Sequence, residues 1–122
     1  MIDFKNGALF KLRKVNNTPT EVHPLLIDGE DVIGCYQSIR DSVVFTNKRI
    51  IAINVQGMTG KKKDFSTLPY SKVQAFSIET AGHFDMDSEL EIYFSGLGKV
   101  KFDFTGQSDI VAIGKLISKH VL

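Results

Sequence analysis

Tryptophan is absent from this 122-residue chain, cysteine occurs once, and fifteen basic against fourteen acidic side chains leave a formal charge of only +1. Each scarcity closes off a class of function. The lone Cys35 excludes an intramolecular disulfide and suits a reducing cytoplasm, which is the expected location. A near-neutral chain has no global field to draw it onto nucleic acid or a membrane, so no nucleic-acid partner is expected and any electrostatic binding has to be local. No apolar run approaches the roughly 20 residues needed to cross a bilayer. The N-terminus also lacks the basic, apolar and small-residue order of a secretory signal. Missing too are a phosphate-cradling glycine loop ahead of a helix, paired cysteines at zinc spacing and a nucleophile motif. No enzyme, cofactor or resident metal is therefore expected.

What is present is a 43% hydrophobic composition with nine Phe, enough for one domain with its own core. The chain is organised around residues 41–55, where two β-branched and aromatic runs flank a polar Thr46-Asn47-Lys48-Arg49 break. That pattern predicts an antiparallel hairpin. Lys48 stands where a tight hairpin turn prefers Gly, so a four-residue connection or local strain is expected.

Upstream, Phe4, Ala8, Leu12 and Val15 recur at helical spacing with Lys5, Lys11, Arg13 and Lys14 around them. The spacing predicts a basic amphipathic helix. It either lies on anionic lipid or packs as an extension on its own domain or a neighbouring subunit, with Phe4, Lys11, Arg13 and Lys14 as candidate membrane or subunit contacts. Thr18, Pro19 and Glu21 read as a capping box opening a short helix that Pro24 limits and Gly29 closes. Residues 1–29 are accordingly expected to be an N-terminal extension and 30–122 the domain proper. Over 30–40, Ile33, Cys35 and Ile39 alternate with Gly34, Tyr36 and Ser38, which predicts a half-buried strand with Cys35 as core filler. Arg40-Asp41 turns the chain into the hairpin.

Glycines punctuate residues 56–60, and Lys61, Lys62 and Lys63 follow as the only concentrated positive charge. Together with Lys48 and Arg49 they are candidate contacts for an anion or partner; the plainer reading is a lysine run guarding an edge strand. A strand over 65–68, a turn at Pro69-Tyr70-Ser71-Lys72 and a returning strand over 73–80 come next. The loop over 81–88 holds His83, Asp85 and Asp87, with Glu89 just beyond. It lacks the glycine and terminal glutamate of a calcium loop, so its carboxylates read as turn residues. Leu90, Ile92 and Phe94, then Val100, Phe102 and Phe104, alternate with polar residues around a Gly96-Leu97-Gly98 reversal, a second hairpin able to pair Glu with Lys across strands. Ser108 caps a last helix whose Ile110, Ile113, Ile117 and Val121 share one face. Gly114 inside it costs about 1 kcal/mol, tolerable where the helix approaches a sheet or another chain closely.

About seven strands and a final helix predict a mainly β fold, an antiparallel sheet curved into a partly open barrel with the helix over its mouth. The Phe45-Thr46-Asn47-Lys48-Arg49 hairpin followed by aliphatics, the Pro69-Tyr70-Ser71-Lys72-Val73 and Phe76-Ser77-Ile78-Glu79-Thr80 stretches, and the loop opening Ala81-Gly82-His83 resemble the bacterial pleckstrin-homology-like family over residues 30–122. The resemblance implies a non-enzymatic interaction domain that assembles with copies of itself, in rings, through sheet edges, and takes a protein or peptide partner there. Eukaryotic relatives of that fold bind phosphoinositides through a basic loop joining their first two strands. Here that connection is read as Arg40-Asp41, too short and nearly neutral for the task. The alternative is peripheral binding to an anionic membrane surface through the basic segments.

Overall fold

A computed structural model describes residues 1, 3–4, 9–84, 86–106 and 109–122, with the backbone alone for Leu9 and Phe10. Its strands are β1 (Leu9–Val15), β2 (Val32–Gln37), β3 (Asp41–Thr46), β4 (Arg49–Gln56), β5 (Lys62–Pro69), β6 (Val73–Glu79), β7 (Ser88–Phe94) and β8 (Gly98–Phe104), followed by helix α1 (Ile110–Val121). They form one open, eight-stranded sheet in the order β5-β4-β3-β2-β1-β8-β7-β6. Every neighbour is antiparallel except β1 and β8, which run parallel. It follows that β5 and β6, the two outer strands, point the same way. Residues 70–72 therefore turn a corner between the sheet's two ends and do not return the chain on itself.

Curling the sheet brings its inner face around one core. Val43 and Phe45 of β3, Ile50 and Ala52 of β4, Leu90, Ile92 and Phe94 of β7 and Val100, Phe102 and Phe104 of β8 meet Ile110, Ile113 and Ile117 of α1. The outer face of β2–β4 carries a second cluster, Cys35, Val44, Ile51 and Ile53, covered by Val22 from a 3-10 helix at Thr20–Leu25. Burial on both faces accounts for the unbroken Ile50-Ile51-Ala52-Ile53 run, since alternation is required only where one face meets water. Gly114 is buried, and a methyl group there would meet Ile78 Cδ1 at 3.4 Å, so the helix does approach the sheet closely.

Several expectations change. Residues 9–15 form a strand, not a helix, because Leu12, flanked by exposed Lys11 and Arg13, is buried between β2 and β8, and sheet pairing outweighs a chance helical spacing in a short segment. Ala8 and Lys5 lie outside the described residues. That strand raises the count from about seven to eight. It also means that the first two strands are joined by residues 16–31, not by Arg40-Asp41. The longer connection contains no Lys or Arg at all. The capping box does not form: Pro19 takes the N-cap position without a side-chain bond, and Thr18 Oγ1 instead accepts from Cys35 Sγ at 3.5 Å. A bulge between Val32 and Gly34 resets the side-chain parity of β2, leaving Ile33 exposed, Cys35 in the outer cluster and Tyr36 in the main core. At α1, Asp109 is the N-cap, its carboxylate accepting from the Ala112 N–H at 3.0 Å; Ser108 lies outside the described residues.

Candidate functional site

The hairpin signature proves to be a polar knot. Phe45 and Ile50 are the last paired residues, so the connection has four residues, and no residue within it takes a positive φ. Thr46 Oγ1 accepts from the N–H groups of Lys48 and Arg49, both at 3.0 Å, and donates to Glu30 Oε2 at 2.7 Å. Asn47 clamps the incoming loop, accepting from Asp31 N–H at 2.8 Å and donating to the Gly29 carbonyl at 3.0 Å. Arg49 holds Glu30 through Nε at 2.8 Å and Nη2 at 2.9 Å, and reaches the Leu25 carbonyl and Thr67 Oγ1 as well. Glu30 is buried. Burial alone would push its carboxyl up, but the hydrogen bonds from Arg49, Thr46 and the Ile27 N–H hold it down at about 2. Tyr70, at the corner, donates its hydroxyl to the Thr46 carbonyl at 2.8 Å and stacks on His120 of α1. Burial raises that phenol, which remains a hydrogen-bond donor throughout the ordinary pH range.

Arg49 is thus committed to the fold and is not the free anion contact expected of it. A buried carboxylate requires a partner, and Arg49 supplies it. Lys48 stays exposed at the hairpin tip. Phe4 is also removed from the list of surface contacts: it is 6% exposed and packed in the main core, where burial of its ring contributes about 2 kcal/mol. Lys14 stands apart from Lys11 and Arg13, in a cleft of about 140 Å³ between β2 and α1.

Lys11 and Arg13 line an open groove of about 570 Å³ with Ser38, Ile39, Arg40 and Asp41. A second groove, of about 580 Å³, contains Ile39 and Arg40 too and runs under the 16–21 segment to Lys63. A third, of about 510 Å³, shares Glu21 and Lys63 with the second and adds Lys61. The fold therefore joins the N-terminal cations to the lysine run. Lys63 is ion-paired with Glu21 at 2.7 Å, while Lys61 and Lys62 are exposed. Arg40, a turn residue by its sequence alone, sits at the junction and donates Nη2 to the Gly57 carbonyl at 2.8 Å. Its one local signal was a cation beside an isoleucine in a tight turn.

The acidic loop divides. His83 is exposed, Asp85 lies outside the described residues, and Glu89 turns away to pair with Lys101 at 3.2 Å, alongside Glu91 with Lys99 at 3.9 Å. Among the described residues no group of three His, Cys, Asp or Glu side chains is placed to hold a metal. No helix there is long and apolar enough to cross a membrane.

An open sheet whose outer strands meet at a corner and whose C-terminal helix packs on the inner face defines a pleckstrin-homology-like module. The bacterial PH domain family model matches residues 3–121, and the chain belongs to that family. It is 43% identical over 100 residues to YjqA of Bacillus subtilis, covering 80% of each chain. Among solved structures it is similar to a pleckstrin-homology-domain protein of Shewanella loihica, at 39% identity and a TM-score of 0.79 over 93% of this chain and 99% of that one. A pleckstrin homology domain of Shewanella amazonensis matches at 41% identity and a TM-score of 0.64, over 84% and 83% of the two chains.

Proposed function

We propose that this chain is a non-catalytic interaction module that assembles with copies of itself through the outer edge of β6 and receives a protein partner by the same strand addition. One contrast supports the reading. β5 protects its edge with Lys62, Lys63, Asp64 and Pro69, whereas the seven residues of β6, Val-Gln-Ala-Phe-Ser-Ile-Glu, carry a single charge at the far end. No strand among the described residues pairs with that edge. A long, nearly uncharged edge is a standing template for another strand unless something occupies it. Pairing of β6 with β5 of a neighbour is head-to-tail and makes a ring where the rotation between subunits closes, while pairing with the neighbour's β6 stops at a dimer. The lysines and proline guarding β5 oppose the first, so the bare edge favours pairing with the neighbour's β6.

Mass photometry of the wild type beside an Ala75→Lys/Ser77→Lys variant tests this, both positions being exposed on β6. The expected result is an oligomer for the wild type and a folded monomer, by circular dichroism, for the variant. A wild type that is monomeric at every concentration contradicts it.

A further inference from the structure

The linked grooves are independent of the β6 edge and combine three features. Cations stand at both ends, Lys11 and Arg13 at one and Lys61 at the other, and among the described residues none of the three has an ion-pair partner. Between them the walls are polar, with Asn16, Asn17, Thr20, Gln37 and Ser42 offering donors and acceptors. The acids facing this path are themselves engaged: Glu21 with Lys63, and Asp41 with Asn54 Nδ2 at 2.6 Å. Lastly, Lys11 adopts φ 53°, and is the only described residue other than glycine with a positive φ. Side chains with a Cβ avoid that region, and Lys11 takes it within the irregular register of β1 against β8 between Leu9 and Leu12, at the mouth of the groove.

We propose that this groove binds an extended acidic polypeptide segment of another protein. Its carboxylates would meet Lys11 and Arg13 at one end and Lys61 at the other, and its main chain the amide and hydroxyl side chains between. Ile39, almost fully exposed where the first two grooves meet, supplies an apolar contact beside the charges. Separated cations along a trough suit a linear chain of carboxylates better than a single compact anion. The amide and hydroxyl side chains between the cations offer partners to a polypeptide main chain that a lipid headgroup layer would leave unused, which favours the peptide over the membrane.

Fluorescence anisotropy with a fluorescein-labelled oligoglutamate peptide provides the test, on both the wild type and the Ala75→Lys/Ser77→Lys variant, so that groove binding and assembly are read separately. Binding is expected in both and should weaken with added salt. Arg13→Glu and Lys61→Glu should each cost about tenfold in affinity, whereas Lys115→Glu, the same charge change on exposed α1, should cost nothing. Lys11→Gly should lose affinity while its thermal midpoint holds or rises, a combination that a purely structural lysine would not give. An equal loss for Lys115→Glu, absence of peptide binding, or sedimentation with phosphatidylserine vesicles in place of peptide binding would overturn the proposal.

Discussion

Arg49 grips Glu30 with two hydrogen bonds, one to each carboxylate oxygen, Nε to Oε2 at 2.8 Å and Nη2 to Oε1 at 2.9 Å, across 19 positions of sequence. The Glu30 side chain is fully enclosed and that of Arg49 is 18% exposed. Removing one partner strands the other's charge. Arg49→Ala should therefore cost about 3–5 kcal/mol of unfolding free energy, read from urea titration. Arg49→Lys should recover only part of it, because an ammonium cannot span both carboxylate oxygens. A loss below about 1 kcal/mol for Arg49→Ala would show that the knot is peripheral to stability.

The same pair sets an acid limit. Glu30 falls from the usual 4.5 to about 2 on folding. A carboxyl whose folded value is depressed stabilises the fold above its unfolded value, and that stabilisation fades as pH drops through the folded one. Here the contribution is about 3 kcal/mol, complete above about pH 5 and lost progressively towards pH 2. Chemical denaturation across that window should show the decline in the wild type and a flatter profile in Glu30→Gln.

Gly114 offers the opposite sign. Its added methyl group would lie at 3.4 Å and 3.5 Å from Ile78 carbons, ordinary contact distances, and alanine recovers most of the helix propensity that glycine forfeits. Gly114→Ala should stabilise the fold by about 0.5–1 kcal/mol, seen as a rise of several degrees in Tm. Gly114→Leu, which pushes further into Ile78 and Phe76, should destabilise it.

Much of this architecture was legible locally. Strict alternation in 90–94 and 100–104 led to β7, β8 and their Glu–Lys cross-strand pairs, and the apolar face of 110–121 led to α1. The misread parts depend on distant residues. Leu12 fits a helical spacing and a strand equally well until β2 and β8 flank it. A proline-led turn at 69–72 has the same local residues whether it reverses the chain or rounds a corner. Ile33 was assigned to the wrong face because a bulge leaves no mark in the pattern of side chains. The family hairpin was recognisable, but its role was not: Glu30 and Thr46 are 16 positions apart, and only the folded sheet shows that Arg49 is consumed there. In the same way, Lys11 and Lys61 belong to one path only because β1 and the β4–β5 loop flank a common surface.

Hydrogen–deuterium exchange across residues 73–79 tests most directly whether the bare edge is the working surface. The account predicts that the outward-facing amides of β6, those not bonded to β7, exchange slowly in the wild type, as slowly as amides of inner strands such as β3, and become fast in Ala75→Lys/Ser77→Lys while β3 stays protected. Rapid exchange of these β6 amides in the wild type, unchanged by the substitutions and by protein concentration, would contradict it.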